Sequence, residues 1–253
     1  MKFFAALFAL FAAAGVLAAG GATSQPRASL ATVYSSCVND KQAALTFDDG
    51  PWQWLNDISK FLVAAGGKGT FCFNGKNWAC IYDPDARDRV KYAYDNGHQV
   101  VSHTWSHPDL NTLSSDQIRD EMSKIDQALE RITGASPAFM RPPYGNYNNL
   151  VLEVAKQRNQ SVIMWDLDTG DSVGASVEDS KKVYSDAVAK NPRNILALNH
   201  ETYSGTAETV VPYAIKLLQS NGYQLVTVAE CLGGLAPYQR TGAPQPPDST
   251  WTC

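Results

Sequence analysis

From Lys41 onward the chain alternates between two hydrophobic patterns. Short runs rich in β-formers predict strands at Ala43–Phe47, Gly69–Phe73, Gln99–Ser102, Ala138–Arg141, Val162–Asp166, Ile195–Asn199 and Gln224–Val228. Longer amphipathic stretches between them predict helices over Trp54–Ala65, Asp85–Asn96, Ser115–Thr133, Asn149–Arg158, Val177–Lys190 and Thr206–Ser220. Ser114 before Ser115-Asp116-Gln117, and Ser176 before Val177-Glu178-Asp179, have capping-box spacing. Asn96-Gly97, Thr133-Gly134 and Asn221-Gly222 suit helix ends.

Strand and helix alternating about seven times argue for an α/β fold of parallel strands with right-handed crossovers. Such a sheet can close into a barrel or stay open. The unusual polar residues all follow strand ends: Asp48 and Asp49, His103 and His107, Arg141, Asp168 and Asp171, and His200. In a barrel those ends form one rim, where active sites lie. In an open sheet a site gathers at one switch point. Contributions from five strands favour the ring. No linker interrupts Lys41 to Val228, so one domain is expected, delimited as residues 37–235, with a Pro-rich tail or surface wrap over 236–253.

The N-terminus reads as an export signal over residues 1–20. Lys2 precedes an apolar stretch from Phe3 to Leu17 and the small residues Ala18-Ala19-Gly20-Gly21, with the cut expected between Ala18 and Arg27. The alternative is an uncleaved anchor. The cleaved chain is expected to be soluble, free of the membrane, monomeric, and extracellular or associated with the cell wall. A formal charge of −4 without any Lys/Arg block argues against nucleic acid as a partner.

An oxidising compartment favours pairing of the five cysteines. None sits in a C-x-x-C arrangement. Cys37 and Cys231 flank the strand-helix repeat, so a bridge between them would tie its ends. Cys72 with Cys80 would close a short loop and leave Cys253 odd. Asn159-Gln160-Ser161 is a glycosylation sequon.

The candidate chemistry lies in four segments. His103-x-x-x-His107 has the spacing of two imidazoles on one metal, although such a pair can also be structural. Asp48-Asp49 ends a strand. One carboxylate can cap a turn while the other is solvated; alternatively, one binds a cation and the other takes a proton. Two histidines and a carboxylate give a catalytic zinc site with an open position, and the spare carboxylate is then a general base. His200 is either a buried, hydrogen-bonded histidine or the general acid that amide hydrolysis needs. Arg141 could orient Asp48, or form an ordinary ion pair. Pro142-Pro143 stiffen the turn that directs the Tyr144 amide.

Taken together, Thr46-Phe47-Asp48-Asp49-Gly50-Pro51, Ser102-His103-Thr104-Trp105-Ser106-His107-Pro108, Arg141-Pro142-Pro143-Tyr144-Gly145, Asp168-Thr169-Gly170-Asp171 and Leu198-Asn199-His200 resemble, in order, the motifs of carbohydrate esterase family 4, the polysaccharide deacetylases with a NodB-homology domain. The likeness covers about Lys41 to Gly233 and is strongest to the fungal chitin deacetylases. It implies a distorted, incomplete (β/α) barrel of about seven strands. It implies that Asp49, His103 and His107 bind Zn2+, or Co2+ or another divalent cation, and that Asp48 is the base. By the same resemblance the Tyr144 amide stabilises the oxyanion, His200 is the acid, Arg141 positions Asp48, Asp171 tunes His200, and Leu198 lines the acetyl pocket. The implied reaction removes N-acetyl groups from chitin or chito-oligosaccharides.

One motif departs: Ser172 follows Asp171 where the family commonly has Trp, which leaves one cleft wall undefined. Trp165 lies upstream on a strand and need not replace it. Trp52, Trp54, Trp78 and Trp105 either pack in the core or stack on sugars. Trp52 is the best subsite candidate, Trp105 lies between the two histidines, and Tyr147 is a weaker choice. The rival readings are the same machinery on acetylated xylan or peptidoglycan, and a non-catalytic glycan-binding protein, which would predict a broken set of groups.

Overall fold

The computed structural model describes Met1 and residues 29–253. The expected leader, Met1 excepted, lies outside the described residues. The strands are β1 (Val33–Tyr34), β2 (Gln42–Gly50), β3 (Thr70–Phe73), β4 (Gln99–Ser102), β5 (Ala135–Pro137), β6 (Phe139–Met140), β7 (Ser161–Ile163), β8 (Leu167–Asp168), β9 (Ile195–His200), β10 (Gln224–Leu225) and β11 (Tyr238–Thr241). The α-helices are α1 (Leu55–Ala64), α2 (Pro84–Asp95), α3 (Ser115–Thr133), α4 (Asn149–Gln157), α5 (Val177–Ala189), α6 (Val211–Ser220) and α7 (Val228–Cys231).

Both expected capping boxes form, Ser114 with Gln117 and Ser176 with Asp179. α3 ends on Gly134 in the left-handed region, at φ 78°. The segment expected as one helix from Thr206 starts with a π-helical turn, Thr206–Val210, before α6. The expected last strand, Gln224–Val228, is shorter, because Thr227 caps α7 with its side chain accepting from the Glu230 amide.

The main sheet runs β1-β7-β6-β4-β3-β2-β9-β8, with every pair parallel, and β10 lies beside the start of β2. β7 and β8 lie near opposite ends of this order although only residues 164–166 join them. Four residue steps span at most about 14 Å. The sheet therefore curls back on itself, and among the described residues β1 and β8 are its unpaired edges: an incomplete α/β barrel of eight strands. The two-residue strands β1 and β8 escaped the sequence pattern, and the strand expected at Val162–Asp166 already ends at Ile163, because the chain then crosses the gap to β8.

β2 shows how the core is layered. Ala43, Leu45 and Phe47 pack outward with Leu55, Ile58 and Leu62 of α1 and Ala214, Ile215 and Leu218 of α6. Ala44 belongs to the barrel interior with Cys72, Val101, Phe139, Ile163 and Leu196, plugged from below by Val228, Ala229 and Cys231 of α7. Strands apolar on both faces are what a helix-covered parallel sheet demands. The interior column of β2 continues through Thr46 to Asp48, so the column turns from apolar to polar toward the strand's C-terminal end.

Cys37–Cys231 forms as expected, with Cα atoms 4.8 Å apart. The expected Cys72–Cys80 loop does not. Cys80 pairs with Cys253, and Cys72 is buried and unpaired. Cys72 faces the barrel interior from β3, whereas Cys80 lies on the loop beyond it. The C-terminal segment lies against the rest of the chain. β11 pairs antiparallel with β5, and Trp251 packs on Tyr82 with ring centroids 5.1 Å apart.

Candidate active site

Alternation along β2 would send Asp48 and Asp49 to opposite faces. The β2–β3 register instead shifts between Asp48 and Gly50, and Asp49 takes φ 72°. A bulge of this kind re-aims a side chain. Asp48 Oδ2 consequently lies 3.6 Å, and Asp49 Oδ1 3.7 Å, from the same His103 Nε2. Across the barrel wall Asp48 is in register with His200 on β9.

The His103–Pro108 segment is irregular rather than helical, with Thr104 and His107 at φ 70° and 59°. It is held from outside. The Asn74 side chain donates to the His103 and Thr104 carbonyls. Glu121 accepts from both the Ser106 amide and hydroxyl at 2.8 Å. His103 Nδ1 lies 2.8 Å from the Arg141 carbonyl, which can only accept, so Nδ1 carries the proton and Nε2, on the side of Asp49, keeps a lone pair for a cation held between them. Burial lowers the pKa of both His103 and His107, which favours the neutral, ligating form.

Asp49 Oδ1 is 3.3 Å from His107 Nε2, and one donor atom from each of Asp49, His103 and His107 lies within 4.8 Å of the other two. Tetrahedral zinc with bonds near 2.1 Å sets its donors about 3.4 Å apart. The two carboxylate–imidazole distances, 3.3 and 3.7 Å, lie close to that spacing, so the three side chains fit such an ion. Among the described residues this is the one cluster of three such side chains.

Arg141 is fully buried and fastens the adjacent carboxylate. Its Nη1 donates to Asp48 Oδ1 at 2.8 Å and to Thr46 Oγ1 at 2.6 Å, and its Nη2 to the Met164 carbonyl at 2.9 Å. Burial alone would raise the Asp48 pKa. Arg141, then His103 and His200, outweigh that and hold it below the ordinary value, so Asp48 is ionised at neutral pH. Burial raises the Asp49 pKa instead.

His200 Nδ1 sits 2.7 Å from Asp171 Oδ1, while Asp171 Oδ2 accepts from the His200 amide and Thr206 Oγ1, both at 2.8 Å. Burial would lower the His200 pKa, but the hydrogen bond and charge of Asp171, followed by Asp48 and Asp49, push it up to about 9. The site thus holds an ionised carboxylate and a protonated imidazole at the same pH.

These groups meet in one cleft of 340 Å³, lined by Asp48, Asp49, His103, His107, Tyr144 and His200, with Trp165, Asp168, Val173 and Leu198 on its walls. Tyr144 adopts φ 59° between Pro143 and Gly145, and its ring packs edge-on against His107 with centroids 4.7 Å apart. Trp105 does not border this cleft and is a correction to the expectation. Its indole covers Gly75, where an added Cβ would fall 1.9 Å from a ring carbon, and lies beside Tyr82 on the core side. Trp52 lies outside the cleft lining, against Trp78 with centroids 5.6 Å apart. Trp78 and Tyr203 continue this aromatic line to His200, with successive centroids 6.2 Å apart.

Sequence reasoning missed Thr46, Asn74, Thr206 and the wall position of Trp165. Only Trp165 left a signal, as an aromatic near the end of an expected strand and near the missing family tryptophan. The other three are ordinary polar residues whose partners are distant in sequence.

With the geometry established, comparison with known proteins identifies the class. The polysaccharide deacetylase family model matches residues 35–163. A chitin deacetylase from Pestalotiopsis sp. is 34% identical over 88% of this chain and 76% of its own. A probable peptidoglycan-N-acetylglucosamine deacetylase from Arthroderma benhamiae is 35% identical over 87% of this chain, which spans 51% of that protein. The solved structure of the chitin deacetylase from the fungal pathogen Colletotrichum lindemuthianum superposes with a TM-score of 0.79 at 31% identity, covering 85% of this chain and 96% of that one. The chain belongs to the polysaccharide deacetylase family and is a hydrolase acting on amide C–N bonds.

Proposed function

We propose that the protein is a secreted, monomeric, zinc-dependent chitin deacetylase that releases acetate from N-acetylglucosamine units of chitin or chito-oligosaccharides. The observation that carries the reading is the Asp49–His103–His107 triangle lying between an arginine-held carboxylate and a carboxylate-held imidazolium. The names of the fungal relatives support chitin as the substrate. Zinc is favoured by the two-nitrogen, one-oxygen donor set. Two disulfides suit export, and no described helix is long and apolar enough to cross a membrane. Residues 1–20 would be the leader, and 37–235 the catalytic domain.

In this reading Asp49, His103 and His107 hold the cation, which supplies Lewis acidity toward the acetamide carbonyl and makes water easier to deprotonate. Asp48, with Oδ1 engaged by Arg141, accepts the proton of the attacking water at Oδ2. The Tyr144 amide, on its rigid Pro-Pro turn, donates to the carbonyl oxygen as charge develops there. His200, protonated and oriented by Asp171, gives its Nε2 proton to the leaving glucosamine nitrogen, because an amine anion cannot depart. Leu198 and Trp165 shape the acetyl pocket, and Trp52 is a sugar-stacking candidate.

The test is acetate release from chito-oligosaccharides by the purified mature protein: as made, after chelation, and after zinc is restored, with Asp48→Asn as control and acetylated xylan in parallel. Metal-dependent release from the chitin oligomers, lost in Asp48→Asn, is expected. Release from xylan alone would keep the mechanism and overturn the substrate. The Arthroderma relative makes peptidoglycan the second substrate to try.

A further inference from the structure

Glu201 directly follows His200, yet its side chain is fully buried and belongs to the other side of the site. Its amide donates to the Asp48 carbonyl at 3.4 Å. Its Oε1 accepts from the Trp52 amide at 2.8 Å, closing the turn that leaves the Asp48-Asp49 pair. Among the described residues its Oε2 is buried without a partner. Gly50 lies so close to this carboxyl that an added Cβ would fall 1.6 Å from Oε1. The carboxyl is thus wedged under the segment whose bulge re-aims Asp49. Burial raises the Glu201 pKa well above its ordinary value, and Asp49 and Asp48 add to this against the Trp52 amide and Arg89. Only Oε1 has a partner, and it accepts, a role the amide oxygen of glutamine can reproduce.

We propose that Glu201 is a positioning residue: its buried carboxyl holds the Gly50–Trp52 turn and so aims Asp49 at the metal. The proposal rests on the reading of Asp49, His103 and His107 as a metal site. Glu201 touches no reacting atom and acts through the backbone between Gly50 and Trp52. Groups that orient metal ligands typically contribute roughly 10- to 100-fold in affinity.

The experiment measures zinc affinity by competition with a chromophoric chelator. It compares wild type, Glu201→Gln, Glu201→Ala, Gly50→Ala and the Gly50→Ala/Glu201→Ala double variant, with thermal unfolding followed for each. Glu201→Ala is expected to weaken zinc binding roughly 10- to 100-fold, and Glu201→Gln to restore it. Gly50→Ala should weaken binding because its methyl displaces the carboxyl. Removing that carboxyl should make room for the methyl, so the double variant binds no worse than Gly50→Ala. Zinc affinity unchanged in Glu201→Ala, loss in Glu201→Gln equal to that in Glu201→Ala, or additive losses in the double variant would each overturn the proposal. Should Glu201→Ala fail to fold, Gly50→Ala and Glu201→Gln decide: weak binding by the first with tight binding by the second supports it, and any other pattern overturns it. Acetate release that depends on zinc in wild type, with Glu201→Ala binding normally, would remove this inference alone. A wild type that binds no zinc would remove the metal site as well.

Discussion

Arg141 donates to Asp48 at 2.8 Å with the guanidinium fully buried and the carboxylate 4% exposed. A charge pair this deep is poor evidence for stability, because desolvation offsets much of the attraction. Its arrangement suits function better. Arg141 occupies Asp48 Oδ1 and leaves Oδ2 facing the cleft beside His103.

Breaking the pair from either side should therefore have different consequences. Asp48→Asn keeps the shape and removes the proton acceptor, so kcat should fall by roughly 10²- to 10⁴-fold. Arg141→Leu leaves the carboxylate buried without its counter-charge, which should destabilise the protein by about 3–5 kcal/mol. Arg141→Lys cannot reproduce the fork that reaches Asp48, Thr46 and Met164 together, and should also lose activity. Kinetics alongside denaturant unfolding checks all three, and an Arg141→Lys variant with wild-type kcat would contradict the role of the fork.

His200 carries the pH dependence. Its folded pKa of about 9 is raised, so the protonated form is favoured by folding. The associated stability is fully present below the unfolded value of about 6.5 and is lost as pH rises through about 9. The ability to donate a proton is lost over the same alkaline range. Asp171→Asn removes the main raising charge and should move the His200 titration, and the alkaline limb of the rate, to lower pH. Loading the cation adds a nearby positive charge and should do likewise. NMR titration of His200 with and without metal measures both shifts, and an unchanged titration in Asp171→Asn would refute the coupling.

Much of this arrangement was legible in the sequence because it depends on short segments. Strand ends are local, and the acids, histidines and arginine that follow them needed only the barrel to bring them together. The bulge that turns Asp49 back was hidden, since nothing in Asp-Asp-Gly-Pro distinguishes a re-aimed side chain from a solvated one. Trp105 misled for a related reason: its place between two ligand histidines says nothing about which side of the loop it faces. Glu201 and Asn74 act across more than one element, so their partners emerge only after folding. The tail did carry a signal, since Trp251 and Cys253 are unusual residues for an unattached segment.

The cysteine pattern gives a direct chemical prediction. Cys80–Cys253 joins residues 173 apart and secures the tail to the loop bearing Trp78. Replacing both by serine should cost about 2–5 kcal/mol. Denaturation without reductant should reveal one titratable thiol, from Cys72. In the native state that thiol should be unreactive, because burial, reinforced by Asp48, raises its pKa well above the ordinary value. Thiol titration and disulfide mapping by mass spectrometry check this assignment, and a Cys72–Cys80 peptide would overturn it.

The aromatic line from His200 through Tyr203 and Trp78 to Trp52 gives the last prediction. Trp78 is 46% exposed, unusual for a large ring unless it meets something flat and apolar. It lies away from the reacting groups, so it can bind a neighbouring sugar of a chain without touching the acetyl group under attack. Trp78→Ala should therefore raise KM for longer chito-oligosaccharides by roughly threefold to tenfold, corresponding to about 0.5–1.5 kcal/mol for one aromatic contact. It should leave kcat nearly unchanged and have little effect on the shortest substrate. KM measured against chain length distinguishes this from a general loss of fold, which would affect all lengths alike. An unchanged KM at every length would place the polymer elsewhere on the rim.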